Sequence, residues 1–313
     1  MEQDTAPLIA LLQQNISRVV LGKADVVRLA VVALLAGEHI LLEDVPGVGK
    51  TLVGKAIARS LAGRFHRIQF TPDLLPADIT GSSLYNSHTQ EFVFSPGPIF
   101  ANVVLADEIN RATPRTQSAL LESMSERQVS ADGQTHPLPR PFMVIATQNP
   151  VEFEGTYPLP ESQLDRFLLR IPLGYPERDV EFQVLGSHRE GEPVDSLAPV
   201  LDCGQVAALQ EAVRQVRMED SINGYLLDLV QATRRCEELH VGASTRGALA
   251  LYRAAQAVAL VAGRQYVVPD DVKRLAVPVL AHRVIAKGYL HNGQREAVEG
   301  LIERLVDDVP VPG

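Results

Sequence analysis

Hydrophobic residues in the first 175 positions of the chain follow two patterns in turn. Short apolar runs predict buried β-strands, whereas apolar side chains at helical spacing, such as Leu52, Ala56 and Ile57, predict amphipathic helices. Strands are predicted at 40–42, 65–70, 102–106, 142–147 and 168–173, and helices at 25–36, 50–61 and 114–126. Because strands that alternate with helices favour a parallel sheet with right-handed crossovers, we expect an α/β fold with five parallel strands and helices on both faces.

Residues 78–100 and 127–140 interrupt this alternation. The first stretch contains the alternating segment 91–94, followed by a proline-glycine-proline turn, and the second contains the turn residues Asp132 and Gly133. Each stretch predicts a β-hairpin inserted into the α/β part, and an ordinary surface loop is the alternative in both places.

The pattern changes near residue 176, after which no strand is predicted. Helical spacing then recurs to the end of the chain. The predicted helices are 177–189, 204–217, 221–239, 245–263, 269–285 and 293–307. We therefore expect two domains, an α/β domain at 1–175 and a smaller all-helical domain at 176–313.

Composition and charge narrow the class of protein. The chain has 313 residues, of which 46% are hydrophobic and 21% charged, as is typical of a globular protein. The formal net charge of −9 and the lack of tryptophan argue against binding to nucleic acid or to an anionic membrane over the whole surface.

Cysteine usage and hydropathy predict the compartment. Cys203 and Cys236 lie far apart and do not have metal-ligand spacing, so we expect free thiols in a reducing compartment. The start of the chain has no signal-peptide pattern, and the longest apolar run, 29–36, is too short to span a bilayer. These features predict a cytoplasmic protein without a membrane span.

A phosphate-binding loop is predicted directly after the first strand. Residues 42–51 read L-E-D-V-P-G-V-G-K-T, in which a glycine-bearing turn leads into Lys50 and Thr51 at the start of a helix. Backbone N–H groups in such a turn bind phosphate oxygens, while the lysine reaches the β- and γ-phosphates and the threonine hydroxyl binds Mg²⁺. Asp44 stands where the pattern has its first glycine, and a plain glycine-rich turn is the alternative. The predicted nucleotide-binding residues here are Asp44, Val45, Pro46, Gly47, Val48, Gly49, Lys50, Thr51 and Leu52.

Two acidic residues end the predicted strand 102–106. This arrangement is the Walker B pattern, in which Asp107 holds Mg²⁺ and Glu108 acts as the general base that activates water. A solvated acidic turn is the alternative, and the upstream phosphate-binding loop favours the catalytic interpretation. Arg111 and Arg115 follow, either at a subunit interface or at a solvated helix start.

Three further polar residues are candidates for contact with the triphosphate. Asn149 follows the strand 142–147 and is expected to orient water or to touch the γ-phosphate, with an Asx turn as the alternative. Arg166 is a candidate arginine finger, supplied by a neighbouring subunit, or else a cation at a helix C-terminus. Arg246, in the first turn of a helix, is expected to reach the phosphates or to face solvent.

Taken in order, these segments resemble the AAA+ ATPases and are most similar to the MoxR family. The resemblance covers most of the chain and is most specific over 15–175. The segments that carry it are L-L-E-D-V-P-G-V-G-K-T from Leu41, G-P-I-F-A-N-V-V-L-A-D-E-I-N-R-A from Gly97, T-Q-S-A-L-L-E-S-M from Thr116, A-T-Q-N-P from Ala146 and L-P-E-S-Q-L-D-R-F from Leu159.

The resemblance implies ATP and Mg²⁺ bound at the interfaces of a homo-oligomeric ring, usually a hexamer. It implies that Val20, Leu21 and Gly22 pack on the adenine, that Asn149 is sensor 1 and that Arg246 is sensor 2. Thr245 replaces the proline usual in the lid motif that contains Arg246, and in the family Asp44 is a common replacement of the first glycine. The two hairpins then resemble the helix-2 insert and the pre-sensor 1 insert of that clade.

The resemblance also implies a function in remodelling, assembling or activating client proteins, often with a partner that carries a von Willebrand factor A domain. A DNA-acting motor is an alternative, which the acidic net charge disfavours. A nucleotide-dependent switch with little hydrolysis is another, which the presence of Lys50, Asp107, Glu108 and Arg166 disfavours.

Overall fold

The computed structural model describes residues 5–131, 133–149, 155–187, 191–288 and 294–312. The helices in these ranges are α1 (Thr5–Ser17), α2 (Ala24–Ala36), α3 (Lys50–Ser60), α4 (Pro76–Thr80), α5 (Pro114–Glu126), α6 (Glu161–Leu164), α7 (Arg178–Ser187), α8 (Cys203–Arg214), α9 (Asp220–Arg235), α10 (Thr245–Val261), α11 (Pro269–Leu280) and α12 (Gln294–Asp308). The strands are β1 (Ile40–Glu43), β2 (Leu61–Ala62), β3 (Phe65–Gln69), β4 (Gly81–Asn86), β5 (Glu91–Pro96), β6 (Val103–Asp107), β7 (Gln128–Ala131), β8 (Gln134–Pro137), β9 (Met143–Gln148), β10 (Leu169–Ile171), β11 (Leu201–Asp202), β12 (Leu239–Val241) and β13 (Ile285–Ala286).

A five-stranded sheet of order β10-β1-β9-β6-β3 lies at the centre of the α/β part, and all its pairings are parallel. Strand alternation divides the core between the two faces of the sheet. In β1, Ile40 and Leu42 join the apolar cluster on one face, whereas Leu41 joins the cluster on the other. The predicted α/β fold with a five-stranded parallel sheet is confirmed.

Antiparallel hairpins lie in both stretches where the sequence predicts them. In the first hairpin, β4 pairs with β5 and places Tyr85 opposite Phe92; in the second, β7 pairs with β8. The two hairpins touch where the rings of Phe94 and His136 stack, with their centroids 3.9 Å apart. The inserted segments therefore form one continuous feature of the surface.

The part of the chain after residue 176 is mainly helical, but it contains three short strands that the sequence analysis did not predict. β11 pairs in parallel with β2, and β12 pairs with β13. The predicted helices 221–239 and 269–285 are therefore wrong at their ends, since α9 ends at Arg235 and α11 at Leu280. Helical spacing cannot reveal these pairings because they join segments far apart in sequence. The end of the predicted helix 177–189 lies outside the described residues.

Helix α10 of the helical part lies at the end of the sheet opposite to the predicted phosphate-binding loop, whereas Glu192 of the same part lies beside that loop. α10 lies against α2, and one apolar cluster runs from α1 and α2 through α8 to α11. α1 itself is a helix that the sequence analysis missed. The shared cluster fixes the helical part against the sheet. None of the helices in the described ranges combines the length and apolar character needed to cross a lipid bilayer.

Candidate functional site

The loop between β1 and α3 has the conformation that the glycine pattern predicts. Gly47 and Gly49 adopt left-handed conformations, with φ of +81° and +94°. No atom would obstruct a Cβ at either position, so the backbone conformation is what favours glycine there. α3 begins at Lys50, directly after this turn. The unpaired N–H groups of its first turn and the partial positive charge of the helix favour an anion at this place.

The ammonium group of Lys50 lies between the loop and the end of β9. It donates hydrogen bonds to the carbonyl oxygens of Gln148 at 3.0 Å, Val45 at 3.3 Å and Asp44. Burial lowers the pKa of Lys50, and attraction to the carboxylates of Asp44 and Asp107 opposes that shift. The group is therefore held within reach of an anion bound by the loop.

Asp44, which stands in place of the usual glycine, ties the loop to the chain that follows β10. Its Oδ1 accepts the N–H of Val45 at 2.7 Å, and its Oδ2 accepts those of Leu173 at 2.9 Å and Gly174 at 2.6 Å. Burial raises the pKa of Asp44, but these three N–H groups and Lys50 together lower it below its ordinary value. This replacement adds contacts that glycine cannot make.

The buried carboxylate of Asp107 accepts hydrogen bonds from side chains of three other segments. Its Oδ2 accepts the hydroxyl of Thr51 at 3.2 Å and the guanidinium of Arg67 at 2.6 Å, and its Oδ1 accepts the hydroxyl of Thr147 at 2.6 Å. The hard oxygen atoms of Asp107 and Thr51, which Mg²⁺ prefers, thus lie side by side. No cluster of three or more histidine, cysteine or acidic side chains suited to a metal occurs among the described residues.

Glu108 occupies a sparsely populated backbone conformation, with φ of 56° and ψ of 52°. Its N–H donates to the hydroxyl of Thr147 at 2.8 Å, and its Oε2 accepts Gln69 at 2.9 Å and Arg111 at 3.0 Å. Left-handed backbone at a non-glycine residue costs energy and is concentrated at functional sites. These contacts hold the Glu108 carboxylate beside Asp107.

These residues surround a cavity of about 400 Å³ at the carboxyl end of the sheet, where open α/β sheets bind ligands. We call it the P-loop cavity. The predicted site residues that line it are Pro46, Gly47, Gly49, Lys50, Thr51, Leu52, Asp107, Glu108 and Asn149. The lining residues that the sequence analysis missed are Lys55, Arg67, Gln69, Thr147 and Glu192. Arg67, Gln69 and Thr147 could have been found from the sequence, because they lie near the ends of β3 and β9 and parallel strands end at the same edge of a sheet.

The three predicted adenine contacts do not line this cavity, and one of them, Gly22, lies beside α7. Val20 is buried in the core, and Leu21 is partly buried. Gly22 has φ of +66°, and a Cβ there would meet the side chain of Val180 at 2.7 Å. The close approach explains the glycine and fixes this turn against the start of α7.

Arg166 and Arg246 line a different cavity, of about 510 Å³, between the helical part and the opposite end of the sheet. We call it the arginine cavity. Arg166 precedes β10, which runs parallel to β1, so it lies at the end of the sheet where β1 begins. Its Nε and Nη1 atoms are buried without a hydrogen-bond partner among the described residues. In its own chain, neither arginine lines the P-loop cavity.

Comparison with known proteins gives the family. A model described as "ATPase family associated with various cellular activities (AAA)" matches residues 39–169, and one described as "AAA lid domain" matches residues 231–304. A putative ATPase from Cytophaga hutchinsonii has a similar structure, with a TM-score of 0.88 and 38% identity over 99% of this chain and 96% of that one.

Three curated relatives match over most of their length. Uncharacterized protein YeaC of Bacillus subtilis is 49% identical, over 99% of this chain and 97% of that protein. Chaperone MoxR1 of Mycobacterium tuberculosis is 42% identical, over 95% and 81%, and Protein MoxR of Methylorubrum extorquens is 31% identical, over 96% and 94%. With the AAA and lid matches and the parallel sheet, these identities show that the chain belongs to the MoxR family of AAA+ ATPases.

Proposed function

We propose that this chain hydrolyses ATP with Mg²⁺ in a ring of identical subunits and uses the cycle to remodel client proteins. The observation that carries the proposal is the separation of two sets of groups. Walker-type residues surround the P-loop cavity, whereas two arginines suited to phosphate lie in the arginine cavity at the other end of the sheet. In this proposal, each subunit contributes the P-loop cavity to one catalytic site and the arginine cavity to another.

In the P-loop cavity, the roles follow from the chemistry of each group. The loop N–H groups and Lys50 bind the phosphates, and the oxygens of Thr51 and Asp107 hold Mg²⁺. The metal, when bound, neutralises charge that develops on the phosphoryl group. Glu108 accepts the proton of the attacking water, and Asn149 orients that water.

Arg166 and Arg246 are proposed to act on the ATP of the neighbouring subunit. An arginine finger stabilises the charge of the transferring phosphoryl group and must lie within contact distance of it. A strand rises about 3.3 Å per residue, so the length of β1 alone separates the start of the sheet from the loop by roughly 10 Å. A head-to-tail arrangement of subunits brings the arginine cavity of one against the P-loop cavity of the next, and such interfaces close into rings. We propose six subunits, as the family resemblance implies.

Client remodelling is supported by the surface that the hairpins present. Leu84, Tyr85, Phe92 and Val93 of the first hairpin are between 51% and 74% exposed. Exposed apolar groups at such density are typical of protein contacts. We propose that this hairpin contacts a client and that a partner with a von Willebrand factor A domain assists. One relative, Chaperone MoxR1 of Mycobacterium tuberculosis, has a name that agrees with this function.

Cytoplasmic localisation is also part of the proposal. Cys203 and Cys236 are free thiols in the structure. Free thiols are typical of proteins kept in a reducing compartment.

The testing experiment measures ATP turnover per subunit against protein concentration, with sizing of the assembly at each concentration. Wild-type turnover should rise steeply as rings form, and Glu108→Gln should bind ATP without turnover. Glu303→Gln, an exposed acid on α12, is the matched control and should behave as wild type. Turnover by the monomer would contradict the shared site, and turnover by Glu108→Gln would remove Glu108 as the base. Binding without turnover by the wild type would favour a nucleotide switch.

A further inference from the structure

Arg283 of the helical part reaches the segment of the α/β part that carries Arg166. It lies in the short 3-10 turn Ala281–Arg283 after α11, and its side chain is 2% exposed. Its Nε donates to Oδ1 of Asp165 at 2.8 Å, and its Nη1 donates to the carbonyl of Leu168 at 3.1 Å. Its Nη2 donates to the carbonyls of Phe167 and, at 3.3 Å, Asp165. One guanidinium therefore holds the backbone on both sides of Arg166.

The buried charge of Arg283 depends on one acidic partner. Asp165 is the carboxylate paired with it within the described part of the chain. Burial lowers the pKa of Arg283 to about 10, against the opposing attraction of Asp165. A buried cation is strongly destabilised when its partner is removed, so the pair constrains where the Asp165 segment can lie relative to the helical part.

The side chain of Arg166, by contrast, has two buried guanidinium atoms, Nε and Nη1, without a hydrogen-bond partner among the described residues. The direction of this side chain therefore depends strongly on the position of the backbone around it. That backbone is fixed by the Arg283 contacts and by the ring of Phe167, which is fully buried. His282 adds a hydrogen bond between its Nε2 and the carbonyl of Phe167 at 2.9 Å.

Arg283 also packs against the first turn of α10, which carries Arg246. A Cβ placed on Gly247 would lie 3.2 Å from Cδ of Arg283, so the glycine leaves room for the arginine. The same side chain thus contacts the segment of Arg166 and the helix of Arg246. Arg283 therefore contacts the segments that carry both phosphate-binding candidates of the arginine cavity, Arg166 and Arg246.

We propose that Arg283 and Asp165 form a clamp that positions Arg166, so that the helical part of one subunit sets the arginine finger used by its neighbour. This inference rests on the proposed trans action of Arg166. Arg283 and Asp165 are positioning residues and do not contact ATP. A movement of the helical part during the nucleotide cycle then displaces the finger as well, which couples the state of one subunit to hydrolysis in the next.

The test is a double-mutant cycle on turnover per ring with Arg166→Ala, Arg283→Lys and the double variant. Lysine keeps the charge but cannot span Asp165 and the carbonyls together. Arg283→Lys should lower kcat by roughly 10- to 100-fold, because small misplacements of a catalytic group have effects of that size. Nucleotide affinity and ring size should remain unchanged, and the double variant should be no slower than Arg166→Ala alone.

A matched control and a second variant keep the result interpretable. Arg304 forms an exposed pair with Glu238 in the helical part, and Arg304→Lys should behave as wild type. If Arg283→Lys does not fold, the apolar pair Asp165→Leu with Arg283→Met replaces it, since buried ion pairs tolerate such exchange. If the loss of kcat in the double variant is the product of the two single losses, the two residues act independently. That result would contradict the clamp but not the role of Arg166 as the finger. Full turnover by Arg166→Ala removes the finger and the clamp together.

Discussion

The N–H of Gly174 donates a hydrogen bond of 2.6 Å to Oδ2 of Asp44, and so links the phosphate-binding loop to the chain leading into the helical part. Leu173 donates to the same oxygen at 2.9 Å. Gly174 has φ of +66°, a left-handed conformation that turns the chain away from β10 at this point. These two hydrogen bonds therefore tie the predicted phosphate-binding loop to the chain that leads into the helical part.

Replacing Asp44 with alanine should lower the free energy of unfolding by about 1–3 kcal/mol, because the N–H groups of Leu173 and Gly174 lose a charged acceptor. Thermal or denaturant unfolding measures this change. Asp195→Ala is the control; its exposed pair with Arg59 should contribute less than about 1 kcal/mol. If both variants lower the free energy of unfolding equally, the hydrogen bonds from Leu173 and Gly174 to Asp44 do not stabilise the fold.

The contribution of Asp44 should also depend on pH in a definite direction. Since its folded-state pKa is lowered, the stabilisation is fully present above the pKa of the unfolded chain and is lost as the pH falls through the folded value. The Tm difference between wild type and Asp44→Asn should be largest near neutral pH and shrink below about pH 4. A difference that stays constant to about pH 3 would contradict ionisation of Asp44 as its source.

Thr147 makes two hydrogen bonds that the sequence analysis did not anticipate. Its hydroxyl donates to Asp107 and accepts the N–H of Glu108, so it holds both acids in register. Thr147→Val keeps the shape of the side chain and should lower kcat by roughly tenfold or more, as expected for a small misplacement of catalytic groups. Nucleotide affinity should stay near wild type in a binding titration. A large loss of affinity with normal kcat would instead assign Thr147 to ground-state binding.

Lys50→Ala should abolish nucleotide binding. Its ammonium already lies beside the loop, where it donates to the carbonyl of Val45, and it also donates to the carbonyl of Gln148 at the end of β9. A titration with fluorescent ATP measures the loss, and Lys287→Ala, at an exposed position, serves as the control. Unchanged ATP affinity in Lys50→Ala would refute the assignment of the phosphate-binding loop.

The parts of the fold and site that could be predicted from sequence are those determined by local pattern. The phosphate-binding loop depends on glycines and a lysine within ten residues, and Asp107 and Glu108 directly follow an apolar strand. Arg67 and Gln69 were missed because only the pairing of β3 with β6 brings them to the two acids. Arg283 was missed for the same reason, since it contacts Asp165 across 118 positions of sequence.

The position of Arg246 required the packing of the helical part. Sequence alone expected this residue to reach the phosphates, and it left open whether it acts in its own subunit. In the structure α10 packs on α2, which places Arg246 in the arginine cavity. Helix-on-helix packing of this kind depends on the shapes of distant side chains and is not evident in the spacing of a single helix.

Mixed rings test the central claim most directly, because they separate the two halves of a shared site. Arg166→Ala alone should lose turnover by about 10³-fold or more while keeping ATP affinity, and Glu108→Gln alone should be inactive. In an equimolar mixture, about a quarter of head-to-tail interfaces combine an intact Glu108 with an intact Arg166. The account predicts that mixing restores turnover in proportion to those interfaces. A mixture no more active than its separate components, in rings shown to contain both variants, would contradict a catalytic site shared between subunits.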